Sequence, residues 1–149
     1  VEIDLLVKGY IPNEYVPDLN QRLDLYRRIQ LAGDINECMA LSREMIDRFG
    51  PYPEPIEKLL ALLEIRMFCQ KLHINQVHMK NGKVFLTLLP STPVRPESLA
   101  KILDERLKML SEFQIGIQLD RKGWKTDLKV VSEYLQKLLK LLNVKKDEL

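Results

Sequence analysis

The sequence predicts an α+β domain, a small sheet of about four strands packed with about five helices in the order β-α-α-α-β-β-α-β-α. Three observations carry this. Apolar residues alternate with polar ones at Val1–Lys8 and again at Phe113, Ile115, Ile117 and Leu119, which is strand periodicity. Longer segments between and after them repeat apolar residues at helical spacing behind recognisable caps. Asn81-Gly82 separates two short apolar-rich runs, the signal of a β-hairpin with a tight primed turn.

Taken in order, Val1, Ile3, Leu5 and Val7 form one side of the opening strand. Pro12 and Pro17 punctuate a loop, and Asp18 stands at the N-cap of a helix carrying Leu19, Leu23, Tyr26 and Ile29, which ends near Gly33. Asp34 with Glu37 three residues on reads as a capping box for a second helix, with Ile35, Cys38, Leu41, Met45 and Phe49 inward. Gly50-Pro51 stops it. Pro53 and Pro55 open a third helix whose apolar positions, from Ile56 to Met67, cover more than one face, as expected of a buried central helix. The hairpin spans Ile74–Lys80 and Lys83–Leu89. After Pro90, Pro93 and Pro96, a fourth helix is expected through Leu99, Ile102, Leu103, Leu107 and Leu110. The last strand follows, and Asp127 caps a final helix with Leu128, Val131, Leu135, Leu138 and Leu142. Residues 1–144 are expected to form one domain, and Lys145 to Leu149 a frayed tail.

The chain has 149 residues, 46% hydrophobic and 30% charged, with a formal net charge of +2. That is ample material for a core. It is not the strongly basic composition of a domain that binds chiefly by neutralising phosphates. Cys38 and Cys69 both sit in helix-like apolar surroundings and read as buried free thiols of a reducing cytosol, not a disulfide framework. The longest apolar runs fall far short of the roughly 18 residues of a membrane span, so no membrane association is expected. Glu2 and Asp4 break any signal-peptide pattern. The chain opens on Val1 instead of Met, as expected of a piece of a longer protein.

Catalytic constellations are absent by spacing. The six glycines stand apart, so none builds a phosphate-cradling loop. His73 and His78 fall near and within one strand, on opposite faces, and Cys69 with His73 lacks two further zinc ligands. No cofactor or metal is therefore expected, and no catalytic residue is assigned. The nearest approach to a nucleic-acid surface is Arg121, Lys122, Trp124 and Lys125, with Lys129, Lys137 and Lys140 following, though Asp120, Asp127 and Glu133 dilute it. A solvated helix face with a packed Trp124 is the simpler reading; phosphate contact through Arg121, Lys122, Lys125 and Lys129 is the functional one.

The stretch Glu44-Met45-Ile46-Asp47-Arg48-Phe49 has a different character. With Met45, Ile46 and Phe49 turned inward, Glu44 and Asp47 share the outer surface. Arg48 is four residues from Glu44, and Arg43 four from Asp47. Such pairs contribute only about 0.2–0.5 kcal/mol each. Either this is a self-paired helix end, or Glu44, Asp47, Arg48 and Arg43 form a charged docking face for a partner's arginines.

Tyr15-Val16-Pro17-Asp18-Leu19-Asn20-Gln21-Arg22-Leu23, Leu25-Tyr26-Arg27-Arg28-Ile29 and Asp47-Arg48-Phe49-Gly50-Pro51-Tyr52-Pro53 resemble the C-terminal (TRCF) domain of bacterial transcription-repair coupling factor (Mfd). The specific motifs cover roughly residues 10–75, with His73 where that family commonly has glycine. The resemblance implies a non-catalytic regulatory domain within an ATP-driven DNA translocase whose ATPase motifs lie elsewhere. It implies packing on a UvrB-like N-terminal region of the same protein, masking the UvrA-binding surface until stalled RNA polymerase is engaged, in the bacterial cytoplasm. DNA would be met through other domains. Glu44, Asp47 and Arg48 match the charged helix end of that pattern. The competing reading is an accessory DNA-binding domain acting through Arg121–Lys129.

Overall fold

The structure is a computed structural model that describes residues 1–147, with side chains described through Leu142. The tail expected at Lys145–Leu149 lies outside the residues described to side-chain level. The elements are β1 (Glu2–Asp4), α1 (Leu19–Leu31), α2 (Ile35–Phe49), α3 (Glu54–Leu72), β2 (Ile74–Lys80), β3 (Lys83–Leu88), α4 (Pro96–Leu99), β4 (Leu107–Ser111), β5 (Gln114–Gln118) and α5 (Trp124–Asp147). The expected α+β class and element order hold, with one strand more. The chain divides into two compact units, Val7–Met67 and a second one formed by Val1–Leu6 with Phe68–Leu149.

The first unit is built from α1, α2 and most of α3, and its helix ends are closed by side chains. Asp18 accepts from the Gln21 amide, and Asp34 from that of Glu37. The Glu37 carboxylate reaches back to the Gly33 amide at 2.8 Å, one residue before the position a capping box uses. Gly50 ends α2 at φ 87°, a conformation in which a Cβ would be strained. The Tyr15 hydroxyl lies 3.0 Å from the Met45 carbonyl and 2.8 Å from that of Gly50, the latter beyond the last helical bond, from the Gly50 amide to Ile46. Arg66 of α3 donates to the Ile29 carbonyl at the end of α1, and Arg22 to Val16 and Pro17. Val16, Leu25, Ile29, Leu41, Met45, Ile56 and Leu63 form the core. Close approach is required at Gly9, where a Cβ would collide with the Leu59 backbone.

Two face assignments change here. Of Leu19, Leu23, Tyr26 and Ile29, read at helical spacing, only Ile29 is buried; Leu19, Leu23 and Tyr26 are 58%, 57% and 37% exposed, and Leu25 joins Ile29 in the core. Ile46 is 43% exposed, while Met45 is fully buried. The apolar stripe of a helix has a width that spacing alone does not centre, and the core chose its Cys38–Leu41–Met45 line.

The second unit is a five-stranded mixed sheet in the order β1-β2-β3-β5-β4. β1 pairs parallel with β2, and the other pairings are antiparallel. The expected turn forms, with Asn81 and Gly82 both at positive φ. Val77, Val84, Leu86, Leu107, Ile115 and Ile117 are fully buried on the inner face, and α5 buries Val131, Leu135 and Leu138. β1 is shorter than the expected Val1–Lys8, and Leu6 at φ 59° turns the chain away.

The expected fourth helix is the main correction. It stops at Leu99, and Leu107 and Leu110 lie on β4. Asp104 explains the break: its carboxylate accepts from the amides of Arg106 at 2.9 Å and Leu107 at 2.7 Å, a side-chain turn that competes with helix. The Tyr134 hydroxyl donates to the other oxygen at 2.7 Å. Asp127 is likewise not the cap of α5, which begins three residues earlier; its amide donates to the Gly123 carbonyl and its residue is buried. His73 follows the last residue of α3 at φ 54°, the left-handed position that glycine fills without strain.

Candidate functional site

The charged end of α2 is organised by a residue that local spacing did not include. Arg28 of α1 grips Glu44 with two hydrogen bonds, Nη1 to Oε2 at 2.6 Å and Nη2 to Oε1 at 2.9 Å. Arg48 adds a third at 2.9 Å to Oε2. The fork geometry of a guanidinium on a carboxylate makes this a specific clasp between α1 and α2. Those hydrogen bonds, that of Arg28 foremost, outweigh partial burial and lower the Glu44 pKa to about 2. Arg48 also lies over the Phe49 ring, 4.9 Å from its centroid, and Phe49 packs on Tyr15 at 5.7 Å.

Glu44 is therefore occupied by arginines of its own chain. Asp47 and Arg43 are exposed, and the pair expected between them does not form. The arrangement leaves Asp47, Arg43 and the exposed Ile46 on the outer side of α2, with Arg48 at its edge. An apolar group flanked by charges of both signs is suited to a reversible protein contact. Ile46 was missed because its spacing matched the inward set; Arg28 was missed because it is sixteen residues away from Glu44.

At the other candidate site, Arg121, Lys122, Lys125 and Lys129 are all exposed. Arg121 sits at φ 57°, its Nε 2.5 Å from where a Cβ on Gly82 would lie, so it covers the β2–β3 turn. Lys125 and Lys129 are one turn apart on α5. Asp120 is held by Arg106 at 2.5 Å, which lowers its pKa and reduces the dilution expected of it. Trp124 is the half-buried first residue of α5.

The sulfurs are embedded in the packing. Burial pushes the Cys69 thiol up to about 12 and raises that of Cys38, the reverse of an activated nucleophile. Among the described residues no group of three or more His, Cys, Asp or Glu could hold a metal ion. No helix among them is long and apolar enough to cross a membrane.

These features define an α+β domain with a capped helical unit, a mixed sheet and charge-bearing surfaces. The family model of the TRCF domain matches residues 5–99, and the chain belongs to that family. It is 30% identical to the transcription-repair-coupling factor of Bacillus subtilis (strain 168) over 98% of this chain and 12% of that protein. The corresponding figures for the transcription-repair-coupling factor of Escherichia coli (strain K12) are 31%, 70% and 9%. The chain thus spans only a small part of the curated relatives it matches. The crystal structure of a C-terminal domain of transcription-repair coupling factor shares the fold, with a TM-score of 0.83 at 20% identity, covering 97% of this chain and 94% of that one.

Proposed function

We propose that this chain is the non-catalytic C-terminal regulatory domain of a transcription-repair coupling factor. In this reading it packs on the UvrB-like N-terminal region of the same protein and masks the UvrA-binding surface. The contact opens when the parent DNA translocase engages stalled RNA polymerase in the cytoplasm. Family membership supplies the setting, and the observation that carries the site is the clasped helix end of α2. Arg28 and Arg48 fix Glu44 and thereby set the rotation of α2 against α1, presenting Asp47, Arg43 and Ile46 together. Glu44 is a positioning residue in this scheme, and Asp47 is the carboxylate offered to a partner's arginine.

The test uses the full-length parent. Asp47→Arg combined with Ile46→Asp is expected to raise UvrA affinity about tenfold or more, the scale on which losing one charge pair at a desolvated contact shifts a closed–open equilibrium. Unchanged UvrA affinity removes this face from the contact. Arg28→Met should reproduce part of the effect of Glu44→Gln, because either change undoes the clasp.

A second reading is duplex DNA contact through Arg121, Lys122, Lys125 and Lys129, favoured by their common exposure and by the pairing of Asp120 with Arg106. It predicts salt-dependent duplex binding by the chain, weakened by Lys122→Glu with Lys125→Glu. Absence of binding at low salt overturns it.

A further inference from the structure

The outer face of the sheet carries a pattern that only the strand order reveals. Register aligns Asp4, His78, Phe85, Gly116 and Lys108 in one row across all five strands. Val77, Val84, Leu86, Ile115, Ile117 and Leu107, at alternate positions, point inward and are fully buried, so this row lies on the opposite face, where His78 and Phe85 are half-buried, Gly116 is covered and Lys108 is exposed. Within it, the His78 and Phe85 rings stack, with centroids 5.0 Å apart and planes 14° apart. The His78 Nδ1 is buried and has no hydrogen-bond partner, so stacking positions this ring without help from that atom.

Gly116, next to Phe85, contributes no side chain to the face. The space a Cβ would take is crossed by the end of the Lys83 chain at 2.8 Å and by Leu110 at 3.0 Å. The Lys83 ammonium reaches within 5.8 Å of the Phe85 ring centroid. On the hairpin side, the adjoining row is Lys80, Lys83 and Gln118. On the opposite side it is Gln76, Thr87 and Gln114, all uncharged hydrogen-bonding groups. Among the paired residues of these strands, acid enters this face at the β1 margin, through Glu2 and Asp4.

We propose that the outer face of this sheet binds single-stranded nucleic acid. Aromatic rings on a sheet, flanked by lysines, are the chemistry that stacks bases and tracks a phosphate backbone without demanding a sequence. A base would stack on the His78–Phe85 pair over the Gly116 gap, displacing the end of the Lys83 side chain, whose ammonium then meets phosphate together with Lys80 and Lys108. The glutamines and Thr87 offer donors and acceptors to base edges, and the acidic β1 margin bounds the track on one side. This surface shares no residue with the α2 face or with Arg121–Lys129, so it stands or falls independently of both readings above.

The test measures fluorescence anisotropy of a labelled fifteen-residue oligothymidylate with the whole 149-residue chain, at low and moderate salt, beside a duplex of equal length. Saturable binding of the single strand in preference to the duplex is expected. Phe85→Ala should weaken it about tenfold with little change in salt slope, as loss of one stacking platform does. Phe85→Tyr should restore it. Lys83→Gln with Lys108→Gln should make the dependence of log affinity on log salt shallower by about one unit. The double lysine variant touches no core residue, so it remains informative if Phe85→Ala fails to fold. No binding at low salt, equal binding of duplex, or affinity indifferent to both Phe85→Tyr reversal and the lysine pair overturns the proposal.

Discussion

The two units of this chain stabilise themselves in opposite ways. In Val7–Met67, order depends on ends: Asp18, Asp34, Tyr15, Arg22 and Arg66 each close a helix terminus or a loop carbonyl over a core of modest size. In the sheet unit, order depends on register, since the inner face is buried only when every strand sits in phase with its neighbour. The recognisable motifs of the sequence fall mostly in the first kind of unit. Many of their residues are the caps and clasps themselves, so a motif can be specific to a family because it is architectural.

The sharpest way to test this contrast is to remove core volume from each unit. Met45→Ala and Leu86→Ala, both at fully buried positions, should each cost about 2–5 kcal/mol in denaturant unfolding. Amide exchange then shows whether protection falls first in the helices or in the strands. The contrast is broken if both changes lower protection uniformly throughout the chain.

Next in size is Asp104→Ala, expected to cost about 1–3 kcal/mol because it leaves the Leu107 and Arg106 amides and the Tyr134 hydroxyl without their acceptor. Burial acts to raise the Asp104 pKa, but these hydrogen bonds outweigh it and the pKa is lowered. Burial, followed by the bond to Asp104, pushes the Tyr134 phenol up to about 12. An ultraviolet absorbance titration should find this tyrosine ionising late, and Asp104→Asn should bring it back toward the ordinary value. Unchanged titration in that variant would assign the rise to burial alone.

Glu44→Gln should cost about 1 kcal/mol, less than a buried ion pair because the clasp is about one-third exposed. Its sign against pH follows from the lowered pKa: the folded state favours the carboxylate, so the stabilisation is complete above the unfolded value near 4.3 and is lost as pH falls toward about 2. Unfolding curves of the native chain and of Glu44→Gln should therefore converge across that acid window. A gap that persists at its lower end would show that the carboxylate's charge is not what the clasp uses. The smallest effect is His73→Gly, which relieves a left-handed residue but forfeits the 2.9 Å contact of Nδ1 with Ser91. A gain of up to about 1 kcal/mol in thermal unfolding is expected.

Legibility in the sequence followed the range of the interactions. Asp18, Asp34 with Glu37, Gly50 and Asn81-Gly82 act on their immediate neighbours, and the sequence places each of them correctly. Residues 100–110 misled because Leu99, Ile102, Leu103, Leu107 and Leu110 satisfy helical spacing, while Asp104 turns the chain with support from Tyr134, thirty residues on. The docking face was half legible: Glu44 pairs with Arg48 as spacing suggests, but its dominant partner Arg28 comes from another helix. The His78–Phe85 row was not legible at all, because it joins residues of five strands whose order the sequence does not state.

The parallel pairing of β1 with β2 has a consequence in time. Glu2 meets Gln76, so the whole of Val7–Met67 lies inside the stretch of chain that this pairing closes. The helical unit closes on contacts within its own span, such as Tyr15 with Gly50 and Arg66 with Ile29, and can assemble as soon as its residues are available. Completing the sheet edge must await Ile74–Lys80 and then bring together ends separated by roughly seventy residues, an entropic cost that grows only slowly with length but delays the non-local step. Prior folding of the intervening helices shortens the effective loop. The helical unit thus acts as an internal splint for a strand pairing to which it contributes no strand.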